Sequence, residues 1–166
     1  LLALALVPDD QIPLVVATLL ARFSSPDDQV RQAAIRAAAH AVPTVDAFDE
    51  SLIGLGETGD QYALSAIANA LLMSTKEMRS KAKFNEWLRL LCKLSPGSRD
   101  AINSFDHVLG RLITAPAQQQ FAISCLTDWV SIHAKDTARD KSAAELFNET
   151  THELSNRPDL LSQVIT

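Results

Sequence analysis

Residues 55–72 read LGETGDQYALSAIANALL, and this stretch decides the fold class. Leu55-Gly56 closes one helical segment. Thr58-Gly59-Asp60 is a short turn, with Asp60 placed to cap the next helix. Ala63, Ile67 and Ala70 to Leu72 then recur at three- and four-residue spacing, which marks one buried helical face. Two helices joined by a three-residue turn cannot bury both apolar faces alone, so further helices must pack on them.

The same residues carry a resemblance. Leu55, Gly56, Gly59, Asp60, Ala63, Ile67, Ala70 and Leu71 fall on the pattern L-G-x-x-G-D-x-x-A-x-x-x-L-x-x-A-L. This resembles the helix-turn-helix joint of HEAT repeats, in the subgroup first named from phycobilin lyases. The resemblance covers residues 9–42 and 55–82. It implies an all-α fold: an α-solenoid of HEAT/armadillo-like helix pairs, about four pairs, some irregular. The whole chain, 1–166, reads as one repeat domain.

Working outward toward the start, Ser24-Ser25-Pro26-Asp27-Asp28 is a second joint. The helix after it places Val30, Ala34, Ala37, Ala38, Ala41 and Val42 on one arc. Gln32, Arg36 and His40 form the opposite stripe. Arg31 lies inside the apolar arc, where a charge demands a partner, so its expected role is structural. The resemblance implies the same, since HEAT repeats use such an arginine to bond adjacent turns. Before this joint, a helix from the Pro8-Asp9-Asp10 turn to about 24 turns Ile12, Val15, Val16, Leu19, Leu20 and Phe23 inward. Pro13 sits in its first turn, where a missing N–H costs least. Residues 1–7 form an apolar run without a cap. They read as the tail of a helix that began earlier, as in a piece of a longer solenoid.

Toward the end, Pro43 breaks the chain and a short helix over 44–55 follows, capped by Thr44 or Asp46. One helix is expected over 76–94, with Phe84, Leu88, Leu91 and Cys92 on its apolar face. Others are expected over 99–114, from Ala115-Pro116 to about 134, and from an Asp136-Thr137 cap to about 155. A last segment opens at Asn156-Arg157-Pro158-Asp159.

Composition bounds the function. The chain has 166 residues and a net charge of −5, with 47% apolar and 5% aromatic residues. No apolar run is long enough to span a membrane, and residues 1–7 lack a basic leader. Cys92 and Cys125 form no CxxC pair, which suits buried thiols in a reducing, cytoplasmic setting. Seven of the 15 basic residues crowd between 76 and 99, flanked by two acidic blocks. On one continuous helix, Lys76, Arg79, Lys83, Arg89 and Lys93 would share a face, with Lys81 apart from them. Trp87 would stand at the edge of that helix's apolar face, as a core residue or an interface anchor.

No chemistry-bearing motif survives inspection. Gly54, Gly56 and Gly59 match G-x-G-x-x-G by letter, but no strand precedes them and no βαβ unit surrounds them. His40, His107, His133 and His152 lie on different helices and form no metal-ligand spacing. No nucleophile frame occurs. The expected function is therefore a non-enzymatic scaffold or adaptor, without cofactor or metal, binding another protein through an acidic segment. The expected contact residues are Gln32, Arg36, His40, Lys76, Arg79, Lys83, Trp87 and Lys93. The resemblance leaves a HEAT-type lyase as one alternative. A nucleic-acid-binding HEAT-like domain is another, disfavoured by the acidic blocks.

Overall fold

The computed structural model describes residues 7–140 and 143–160, with side chains of 136–140 left out of the description. Helices α1 Ile12–Arg22, α2 Asp28–Ala41, α3 Asp49–Glu57, α4 Gln61–Met73 and α5 Thr75–Met78 make up the first half. Helices α6 Phe84–Leu90, α7 Arg99–Ile113, α8 Gln119–Asp140, α9 Ala143–Leu146 and α10 Asn148–Ser155 make up the second. Short 3-10 turns at Asp9–Gln11 and Asp46–Phe48 lead into α1 and α3, and a third at Leu91–Lys93 extends α6. The protein is all-α, with no strand among the described residues.

The joint at 55–60 is built as its residues dictate. Gly59 has φ +80°, the left-handed conformation that glycine adopts without a Cβ clash. Asp60 N donates to Leu55 O (3.2 Å) and Gly59 N to Gly56 O (3.0 Å), which closes the end of α3 as a Schellman motif. Asp60 then caps α4, its Oδ1 accepting from Tyr62 N and Ala63 N, both at 3.0 Å. Asp27 caps α2 the same way, accepting from Gln29 N (2.9 Å) and Val30 N (3.2 Å).

The helices form two rows. In one, α2 packs on α4, α4 on α7 and α7 on α10. In the other, α1 touches the 3-10 turn before α3, α3 packs on α6, and the turn after α6 packs on α8. Polar ties show that α2, α4 and α7 run parallel. Arg31 in the first turn of α2 reaches Asp60 at the start of α4. Gln61 Oε1 accepts from Ser95 N (2.8 Å) just before α7, while Arg111 near the end of α7 donates to Leu72 O (2.8 Å) near the end of α4. Between the rows lies one continuous apolar cluster from Val16 to Leu160, including both tryptophans, Phe48, Phe105 and Phe147. Small residues allow the close approaches. Ala38 is fully buried on α2, and a Cβ on Gly56 would meet Leu90 Cδ1 at 3.0 Å.

Several expectations need correction. The buried arc of α2 is rotated from the one expected: Ile35 and Ala39 are buried, while Val30 is 39% exposed and Ala37 is exposed. The contact with α4 lies on the Ala34–Ala38–Ala41 side, and it leaves residue 30 outside. Of the expected inner residues of α1 only Val16 is buried, because α1 is the end helix among those described. The single helix over 76–94 is broken at 79–83. This interruption lets Met78 and Phe84 both reach the core while Lys81 turns toward the end of α2. Conversely, no break occurs at Asp136-Thr137, since α8 continues to Asp140. The start of α8 lies at Gln119, after a turn in which Gln119 Nε2 donates to Ile113 O (2.9 Å). The expectation for residues 1–7 falls, except at Val7, outside the described residues.

Candidate partner-binding face

The break after α5 redistributes the basic island. Lys81, set apart on the expected helix wheel, is its most engaged member. Its Nζ donates to Val42 O (2.5 Å), at the C-terminal end of α2, and pairs with Asp46 Oδ1 (2.7 Å) and Asp49 Oδ1 (3.3 Å). Burial pushes the Asp49 carboxyl up against the pull of Lys81. The hydrogen bond from Lys81 holds the exposed Asp46 carboxyl down. Lys83 pairs with Glu50, which raises the ammonium's pKa, and Lys93 Nζ donates to Glu57 O (2.8 Å). These lysines tie the 79–93 segment to α3 and its lead-in turn.

Trp87 is 1% exposed and belongs to the core, because the rotated α6 turns it inward. It offers no edge contact to a partner. Lys83 and Lys93 are likewise engaged with α3, so the continuous basic stripe does not exist. Arg36, Lys76 and Arg79 are exposed and make no ion pair among the described residues, while Gln32 and His40 are half-buried. Burial and the Arg36 guanidinium lower the His40 pKa, which keeps the imidazole neutral at pH 7.

What the helix wheels did not reveal is the outward face of α4. Its inner side buries Ala63, Leu64, Ile67, Ala68, Ala70 and Leu71. Opposite them stand Tyr62 (47% exposed), Asn69 and Met73 (64% exposed). The signal was present, since Tyr62 and Met73 are the large apolar residues that miss the buried arc. Because α2, α4 and α7 are parallel, three stripes lie side by side: Ala33, Arg36 and His40; Tyr62, Asn69 and Met73; Asn103, His107 and Arg111. A groove of about 560 Å³ opens between the first halves of α4 and α7, lined by Tyr62, Ser65, Asn69, Arg99, Asp100 and Ser104 among others.

No group of His, Cys, Asp and Glu among the described residues is placed to hold a metal ion. Cys92 and Cys125 are buried, and Cys92 Sγ donates to Cys125 O (3.3 Å). The neighbouring Cys92 thiol and burial push the Cys125 thiol far up, so it remains protonated at neutral pH. The His133 ring lies 4.8 Å from that of Trp129, tilted by 41°, with Nε2 3.2 Å from Cys92 O. No helix among the described residues is long and apolar enough to cross a membrane. No family model, curated protein or solved structure matches the chain.

Proposed function

We propose that the chain is a non-enzymatic protein-interaction module, a scaffold or adaptor built as a HEAT-type α-solenoid of four helix pairs. The pairs are α1 with α2, α3 with α4, α6 with α7, and α8 with α10. The two rows, with the direct packing of α1 on α2 and of α3 on α4, support the pairing. The joints at Asp27 and Asp60, each an aspartate cap after a turn, support a repeated unit. Cys92 and Cys125 are both buried free thiols, which favours a cytoplasmic location.

The observation that carries the binding reading is the outward stripe of α4. Two large side chains, Tyr62 and Met73, are held in solvent on the central helix of a row, beside a polar groove. Aromatic and thioether side chains in such a setting suit an interface, because they supply contact area at small conformational cost.

A photo-crosslinking residue at Asn69 tests this, with the same residue at Thr127 on α8 as control. An identified protein should be captured at Asn69, be displaced by excess unmodified chain, and bind Tyr62→Ala or Met73→Ala more weakly once purified. Equal capture at both positions, or none at Asn69, would overturn the reading.

A further inference from the structure

We propose that the C-terminal edge of the α2–α4–α7 face binds an acidic segment of another protein, with an apolar side chain of that segment set against Met73. The proposal rests on the reading of this face as the binding surface and names the chemistry it selects. Because the three helices are parallel, their C-terminal ends lie along one edge. Arg36 approaches it from α2, Arg111 from α7, and Lys76 and Arg79 follow Met73 in the short helix and turn after α4. Arg111 spends its Nη1 on two neutral acceptors, Leu72 O (2.8 Å) and Thr75 Oγ1 (3.0 Å), and makes no ion pair among the described residues.

Glu77 and Glu149 stand near these cations without an ion pair to any of the four, while Asp46 and Asp49 are paired with Lys81 where α2 ends. Counting Lys81, five cations stand against four carboxylates there, on a chain whose net charge is −5. This cluster differs from the basic island of the sequence. Lys81, Lys83 and Lys93 are held by the fold, whereas Arg36 and Arg111 join from distant helices. Complementary charge at an interface acts on association rate and partner choice. Met73, 64% exposed amid these cations, favours a peptide over a bare phosphate chain, because a thioether surface is covered by an apolar side chain.

The test is an amide NMR titration with three probes: a short Glu- and Asp-rich peptide carrying leucines, the same peptide with Gln and Asn in place of the acids, and single-stranded oligothymidylate. Shifts with the acidic peptide should fall on residues 33–40, 70–79 and 107–114. Affinity should drop about tenfold in the Arg36→Glu, Lys76→Glu, Arg79→Glu variant, with unchanged circular dichroism. Equal binding of the neutral peptide at the same residues would overturn the acidic class and leave the face as the binding surface. Stronger binding of oligothymidylate would overturn the peptide assignment. No shift with the acidic peptide, or shifts confined to the α3–α6–α8 row, would overturn the proposal, and the crosslinking at Asn69 would then decide separately whether the face binds protein at all.

Discussion

Arg31 and Asp60 lock two successive joints together through a divided carboxylate. Asp60 Oδ1 accepts the two free N–H groups at the start of α4, while Oδ2 accepts from Arg31 Nη2 in the first turn of α2. Both side chains are mostly buried, at 24% and 14% exposed, so neither charge is left to bulk water. The cap alone is worth about 1 kcal/mol. Asp60→Ala should therefore cost about 2–3 kcal/mol, because it also strands the arginine. Arg31→Met keeps the cap and should cost less. A urea double-mutant cycle should show coupling of about 1 kcal/mol. Additive effects would mean that the two residues do not act as a unit.

The Lys81 cluster should make stability depend on pH in an unusual direction. Burial raises the folded pKa of Asp49 above its unfolded value, so its ionised form opposes folding above the folded pKa. That penalty fades as pH falls toward the unfolded value. Asp46 acts oppositely, since its lowered pKa gives stability that is lost on acidification. Lys81→Met removes the cation from both. At pH 7 it should cost about 2–4 kcal/mol, because Asp49 is left buried and charged. The gap between variant and wild type should narrow from pH 7 toward pH 4, as Asp49 takes up a proton. Urea unfolding at several pH values measures this, and a gap independent of pH would mean that Asp49 is not the residue stranded.

The contrast between these two sites explains what was legible from the residue order. The joint at 55–60 is local: cap, glycine and turn lie within six residues, so its geometry follows from spacing. Arg31 was legible as structural because it interrupts an apolar arc. Lys81 was not legible, because its partners Val42 and Asp49 lie 39 and 32 residues away. The residues 79–83 contain no proline or glycine, so local propensity alone carried the expected helix through them. Tertiary burial of Met78 and Phe84 overrode it. The same limit applies to the candidate face. Arg36 was found from its stripe, but the stripes of Asn69 and His107 are set beside it only by the parallel packing of three helices.

Helix α10 carries no cap of its own and depends on α7. The buried Asp106 accepts from Glu149 N (2.9 Å) and Thr150 N (2.8 Å), and Thr150 Oγ1 donates back to Asp106 O (3.1 Å). A carboxylate thus caps α10 from another helix, 43 residues away. Asp106→Ala should cost about 2–3 kcal/mol by leaving these donors unsatisfied. Hydrogen exchange should show protection lost first in residues 148–155, while α2 and α4 keep theirs. Uniform loss of protection along the chain would mean that α10 is not a separately opening unit.

Gly54 and Gly59 should respond to alanine with opposite signs, although an added Cβ meets no atom within 4 Å at either position. Gly54 sits inside α3 with ordinary helical geometry, where glycine costs backbone entropy and supplies nothing in return. Gly54→Ala should stabilise the protein by about 0.5–1 kcal/mol. Gly59 is held at φ +80° by the bonds that close α3 and position Asp60. Gly59→Ala should destabilise by about 1–2 kcal/mol from backbone strain alone. Because the Asp60 cap and its bond to Arg31 depend on that turn, any relaxation of residue 59 would weaken them as well. Thermal unfolding of the two variants measures both effects together. A Gly59→Ala variant as stable as the wild type would mean that the joint tolerates another turn conformation, and the tie between α2 and α4 would then have to rest on apolar packing instead.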